Sequence, residues 1–132
     1  MKEGKMDNND KTENIVKEIK EWEIQVNKLF KDDKIIRYKK KPKFGDFFNL
    51  INSYQSNKDI YTKKKQIFKY DDNKLLKVHK IWKDYLHLII KISLQIEMLN
   101  SFSSADVLDD IESDMHETHI QIKASLESME GL

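Results

Sequence analysis

The stretch LLKVHKIWKDYLHLIIKISLQIEML, from Leu75 to Leu99, decides the fold of this 132-residue chain. Large apolar side chains recur in it every three or four residues, which is the period of an α-helix with one broad buried face. The preceding cluster Asp71-Asp72-Asn73 offers side chains that cap a helix N-terminus. We therefore predict one long helix that organises the core. Its apolar face consists of Leu75, Val78, Trp82, Tyr85, Leu86, Ile89, Ile92, Ser93, Ile96 and Leu99.

A second, narrower apolar seam lies upstream, between Asp10 and about Lys31. Its members are Ile15, Ile19, Trp22, Val26 and Leu29. These spacings predict a helix, and fewer than three full heptads favour packing on its own domain over a coiled coil with a partner. Residues 1–9 are predicted to be a disordered tail, residues 46–54 a short amphipathic helix, and residues 53–59 a polar turn.

The C-terminal segment follows a polar break at residues 101–104, and its periodicity is ambiguous. One set of residues fits a helix: Ile111, Met115, Thr118, Ile122, Leu126 and Met129. Within the same segment Ile120, Ile122 and Ala124 alternate with polar residues, as a strand would. The sequence thus predicts a mainly α fold with three or more amphipathic helices, residues 10–100 forming a helical region with basic linkers, and a C-terminal strand or helix.

Charge is segregated along the chain. Residues 31–91 carry 17 basic and 7 acidic side chains, whereas residues 92–132 carry 1 and 9, although the net charge is only +1. Biased codon usage explains an excess of lysine over arginine, but it does not confine lysines to the middle of a chain. The segregation predicts contact with a polyanion in the middle segment.

Two basic runs are the candidate RNA contacts. The first combines cations with aromatic rings around Pro42 and Gly45, and consists of Arg37, Tyr38, Lys39, Lys40, Lys41, Lys43 and Phe44. The second is Lys63, Lys64 and Lys65. Lysine ammoniums neutralise phosphates with release of counterions, and Tyr38 or Phe44 offers a ring for an unpaired base. The alternative is a solvated linker whose aromatic side chains pack into the core.

The residue types argue against an enzyme and against a bound cofactor. The chain has no cysteine, which excludes disulfides and thiolate chemistry and favours the cytosol or nucleus. His116 and His119 are three residues apart, which does not match the four-residue spacing of the HExxH zinc motif. The most apolar run, residues 86–99, is too short and too charged to span a bilayer, so no membrane partner is predicted.

Two motifs resemble one known family. The segment Leu76 to Leu86, with His79, Trp82 and Tyr85, is similar to the helix that precedes the barrel in the twenty-nine-kilodalton protein subunit of ribonuclease P and ribonuclease MRP. About thirty residues later, Asp114-Met115-His116 resembles the Asp-Leu-His opening of that family's first barrel strand. The family has Gly-Ala next, whereas this chain has Glu117 and Thr118.

The resemblance implies an RNA-binding, non-catalytic subunit of a nuclear and nucleolar ribonucleoprotein. Such a subunit acts in transfer RNA 5′ maturation and ribosomal RNA processing, with structured RNA and other subunits of the particle as partners and no small-molecule substrate. It also implies an Sm-like β-barrel that begins within residues 101–132. One strand cannot close a barrel, so the resemblance implies a chain that stops after the first strand. The alternative function is a helical protein-interaction module without RNA binding, whose apolar seams at residues 15–29 and 75–99 pair with partner helices.

Overall fold

The structure, a computed structural model, describes residues 8–29, 31, 54–102 and 104–132. These ranges contain four helices: α1 (Asn8–Leu29), α2 (Tyr54–Ile67), α3 (Asp72–Ser101) and α4 (Ala105–Glu130). The mainly α fold predicted from the sequence is therefore confirmed. The Asp71 side chain accepts a hydrogen bond from the Lys74 amide at 3.1 Å and caps α3, as its sequence position predicted.

Helix α3 is the central element, and each of the other three helices packs on it. Residue pairs fix the directions of the helices. Glu18 pairs with Lys83 and Trp22 contacts His87, so α1 runs parallel to α3. Helix α2 runs antiparallel to α3 and is joined to it by the tight turn at residues 68–71. Helix α4 returns antiparallel to α3, and its last turn meets the last turn of α2, where Lys64 donates to the Glu130 carbonyl.

The core is formed by the apolar faces that the sequence predicted for α1 and α3. Ile19 and Val26 of α1 are buried, as is every member of the predicted α3 face except Leu75, which is partly buried. Both seams therefore face the inside of the bundle. A helical partner that pairs with these seams, as the interaction-module alternative supposed, has no access to them.

Helix α4 resolves the ambiguity of the C-terminal segment. Its buried residues Ile111, Met115, Thr118, Ile122 and Met129 follow a helical period and pack towards α3. Asp114 and His116 lie on this helix and are exposed. The incomplete barrel strand is not confirmed, since the described ranges contain no strand. The helical period places the apolar side chains on one buried face, whereas a strand would expose an unpaired edge.

Helix α2 differs from the sequence prediction. The polar residues 53–59 were predicted to form a turn, but from Tyr54 onward they lie in this helix. The helix predicted over residues 46–54 lies outside the described residues except for Tyr54, which begins α2. The tail predicted over residues 1–9 lies outside them up to residue 7, whereas Asn8 and Asn9 belong to α1. None of the described helices is both long and apolar enough to cross a membrane.

Candidate nucleic-acid interface

The family-signature residues His79, Trp82 and Tyr85 form a buried aromatic cluster with α2. Tyr61 and Tyr85 stack on the Trp82 ring at centroid distances of 4.8 and 4.9 Å. The Tyr61 hydroxyl is hydrogen-bonded to His79 Nδ1 at 2.7 Å, and Asn57 Nδ2 donates to the Tyr85 hydroxyl at 2.6 Å. These contacts hold α2 on α3, so the three signature residues have structural roles.

Burial shifts the pKa values of this cluster. Burial, aided by the Lys65 ammonium, lowers the pKa of His79 to about 4, so the imidazole is neutral at pH 7. Burial and then the Glu23 carboxylate raise the pKa of Tyr54 to about 12. The pKa of Tyr61 is raised by the same two causes, and burial raises that of Tyr85. Neutral hydroxyls and a neutral ring are the forms that a packed interior favours.

The turn between α2 and α3 brings lysines and aromatic rings together at the surface. We call this surface the α2–α3 corner and define it by Lys65, Lys69, Tyr70 and Lys74. Tyr70 is 89% exposed, and the Lys69 ammonium lies 4.7 Å from the centre of its ring. The Lys74 ammonium lies 5.8 Å from the half-buried Phe68 ring. An exposed ring flanked by cations is the combination that binds an unpaired base and its phosphates.

The run Lys63-Lys64-Lys65 does not form one row. Consecutive helical residues point in directions about 100° apart, so the three side chains diverge. Lys63 is exposed, Lys64 donates to the Glu130 carbonyl at 3.0 Å, and the Lys65 ammonium lies 5.3 Å from the Tyr61 ring centre. Lys63 and Lys65 thus point to nearly opposite sides of α2, so Lys65 is the lysine of the predicted run that contributes to the corner, while Lys64 joins α2 to the end of α4.

Acidic groups balance part of the charge of the corner. Asp71 and Asp72 follow Tyr70 directly, and the Asp71 carboxylate is engaged by the Lys74 amide at the start of α3. The side-chain ion pairs among the described residues, Lys58 with Glu23 and Lys83 with Glu18, involve no residue of the corner. Within the described ranges, the acidic helix α4 thus forms no ion pair with the ammoniums of the corner.

A second group of lysines surrounds a groove between α1 and α3 with a volume of about 500 Å³. We call it the α1–α3 groove. Its described lining consists of Lys11, Asn14, Ile15, Leu76, Lys77, Lys80 and Lys83. Helical spacing puts Lys77 and Lys80 on the side of α3 away from Trp82 and α2, so the groove and the α2–α3 corner lie on different faces.

The other predicted site residues are distributed as follows. Arg37, Tyr38, Lys39, Lys40, Lys41, Lys43 and Phe44 lie outside the described residues. In the part of the chain that the structure describes, no group of three or more His, Asp or Glu side chains could hold a metal ion.

Sequence reasoning missed Tyr70 as a candidate base-stacking residue. The signal that could have found it is its place between Lys69 and the Asp71 cap: a residue just before an N-cap lies in a turn, where a large ring is not obliged to pack. Compared with protein-family models, with curated proteins and with solved structures, the chain matches none of them.

Proposed function

We propose that this protein is a non-catalytic, RNA-binding subunit of a ribonucleoprotein. The α2–α3 corner is the observation that carries the proposal, because it presents cations and an exposed ring together at one turn. Its lysines bind phosphate oxygens, and Tyr70 stacks on an unpaired base. The aromatic cluster around Trp82 supports the corner by fixing α2 against α3.

The ribonuclease P and ribonuclease MRP particle is the specific assignment within this proposal. It draws on the His79, Trp82 and Tyr85 signature, which lies in a helix as the resemblance requires. The helical setting of Asp114 and His116 gives the second motif no support. In this assignment the RNA of the particle performs the cleavage, precursor transfer RNA is the substrate, and the protein acts in the nucleus and nucleolus beside other subunits. The basic segment from Arg37 to Phe44 adds a second RNA contact.

The test is the affinity for a structured RNA, such as a precursor transfer RNA, measured over a range of salt concentrations. The triple variant Lys65→Ala, Lys69→Ala, Lys74→Ala should lower the affinity. It should also reduce the slope of log affinity against log salt by about one for each phosphate that is no longer neutralised by a lysine. The matched control is Lys17→Ala, Lys20→Ala, Lys28→Ala, which removes the same charge from exposed positions of α1.

Tyr70→Ala separates stacking from charge. It should weaken binding by about 1–3 kcal/mol while leaving the salt slope unchanged, because it removes a ring and no cation. Equal losses in the corner variant and the control variant would mean that only net charge matters. Such a result would contradict the corner as the RNA site.

A protein-interaction role remains the second candidate function, and one surface favours it. Leu94 and Met98 in the C-terminal half of α3, and Phe102 at its C-cap, are exposed at spacings of four residues. An exposed apolar stripe of this kind is typical of a surface that contacts another protein. Recovery of a protein partner that no longer binds Leu94→Ser, Met98→Ser, without any RNA affinity at low salt, would favour this candidate.

A further inference from the structure

Two surfaces of the molecule are complementary in chemistry. The α1–α3 groove has an apolar floor of Ile15 and Leu76 and a lysine rim. The outer face of α4 has the reverse character, with an exposed isoleucine among carboxylates. We call this face the α4 ridge and define it by Asp106, Asp109, Glu117, Ile120 and Glu127.

We propose that the α1–α3 groove of one copy of this chain binds the α4 ridge of a second copy. Ile120, 66% exposed at the centre of the ridge, packs on the apolar floor of the groove. The carboxylates on either side of it then face the lysine rim. This contact removes from water the apolar atoms of both surfaces and brings opposite charges together.

The charges needed for this contact are available on both surfaces. Of the rim lysines, Lys83 forms an ion pair within the described residues, and its partner is Glu18. Lys11, Lys77 and Lys80 have none within the described ranges. Over its whole length α4 carries eight carboxylates and one lysine, so its field attracts a basic groove and repels another copy of itself.

The spacing of the charges on the two surfaces is compatible with this contact. Lys77 and Lys83 are six residues apart, which is about 9 Å along the axis of α3. Glu117 and Glu127, on either side of Ile120, are ten residues apart, about 15 Å along α4, and the long, flexible lysine side chains extend the reach of the rim. With a net charge of only +1, two copies have little overall repulsion to overcome.

The contact joins two different surfaces, and this determines the kind of assembly. Helices α1 and α4 pack on different sides of α3, so one molecule can use its groove and its ridge at the same time. Such head-to-tail contacts give a ring or an open chain of subunits, not a dimer with twofold symmetry. The contact leaves the α2–α3 corner uncovered, so the inference does not depend on the proposed function.

Sedimentation velocity of the full chain tests the inference. The mass should rise above 15.8 kDa with protein concentration at about 50 mM salt and return towards it at about 500 mM, since salt screens exposed charges. A groove variant, Lys77→Glu with Lys80→Glu, and a ridge variant, Glu117→Lys with Glu127→Lys, should each associate at least about tenfold more weakly. Lys17→Glu with Lys20→Glu, at exposed positions of α1 outside the groove, is the matched control.

Mixing the two variants gives the decisive measurement. In the groove variant both surfaces carry acidic residues, and in the ridge variant both carry basic ones, so neither variant associates with itself. The acidic groove of the first variant is complementary to the basic ridge of the second. An equimolar mixture should therefore recover association that neither variant shows alone, which a folding defect cannot produce. A wild-type chain that stays monomeric at low salt overturns the inference. Binding of an RNA or of a small anionic amphiphile in the groove of such a monomer would not rescue it. A mixture that stays monomeric overturns it as well.

Discussion

His79 makes the stability of the fold depend on pH, because its ring is buried and hydrogen-bonded to Tyr61. Its folded pKa of about 4 lies below the value of 6.5 for a free histidine, so between these pH values only the unfolded chain binds the proton. The free energy of unfolding should therefore fall as the pH drops from about 6.5 to about 4, by at most about 3 kcal/mol.

Urea unfolding at several pH values measures this dependence. His79→Gln should flatten the decline between pH 6.5 and pH 5, where most carboxylates remain ionised. Identical profiles for wild type and His79→Gln would show that the imidazole keeps its free pKa in the folded chain.

Trp82 and Tyr70 are expected to separate stability from binding. Trp82→Ala removes the ring on which Tyr61 and Tyr85 stack and should lower the free energy of unfolding by about 3–5 kcal/mol. Tyr70→Ala removes an exposed ring and should change it by less than about 0.5 kcal/mol. Chemical denaturation of both variants at pH 7 checks the difference. A large loss of stability in Tyr70→Ala would mean that this ring packs in the core and is unable to stack on RNA.

Whether the sequence predicted the role of a single residue depended on what causes that residue to be buried. Trp82 could be recognised as central because a large ring in a periodic apolar run has few alternatives to the core. Tyr61 and Asn57 could not be recognised as buried residues. Their burial depends on hydrogen bonds to His79 and Tyr85, which lie on the other side of a turn. A hydrogen bond between residues 28 positions apart leaves no periodic signal.

Helix α4 allows a direct test of helix against strand. In a strand, Ile120 and Ile122 would share one face, but in α4 Ile122 is fully buried and Ile120 is mostly exposed. Ile122→Ala should therefore lower the free energy of unfolding by about 2–5 kcal/mol, and Ile120→Ala by less than about 0.5 kcal/mol. Urea unfolding measures both free energies, at protein concentrations low enough to keep the chain monomeric. Equal losses of unfolding free energy in the two variants would restore the strand interpretation of this segment.

Helices α2 and α3 show why elements differ in how well a sequence predicts them. Helix α3 has a broad apolar face over most of its 30 residues. This long periodic pattern predicts a helix even where polar residues interrupt the apolar face. Helix α2 buries only Tyr54, Asn57 and Tyr61 completely, and its remaining residues are largely polar. Tertiary packing against Trp82 stabilises such a helix, and packing of this kind cannot be read from local periodicity.

At the scale of the whole molecule, the charge segregation of the sequence becomes a segregation of surfaces. Among the described lysines of the middle segment, one group lies at the α2–α3 corner and another lines the α1–α3 groove, while α4 carries the acidic face. The sequence predicted the segregation but not the division of the lysines between two faces. That division depends on α2 and α1 packing on different sides of α3, which charge counts do not contain.

The central position of α3 also determines how the molecule opens. Helix α3 contacts α1, α2 and α4, so its amides become exposed only when the bundle unfolds. Native-state hydrogen exchange should therefore find the slowest amides between Val78 and Ile96, with opening free energies equal to that of global unfolding. The amides of the last turn of α2 should exchange faster. This turn exposes Ile67, and its contact with α4 is an exposed hydrogen bond from Lys64 to the Glu130 carbonyl. If α4 retained its protection under conditions in which the α3 amides exchanged, the bundle would have a different cooperative unit, and α3 would not be the element on which the others depend.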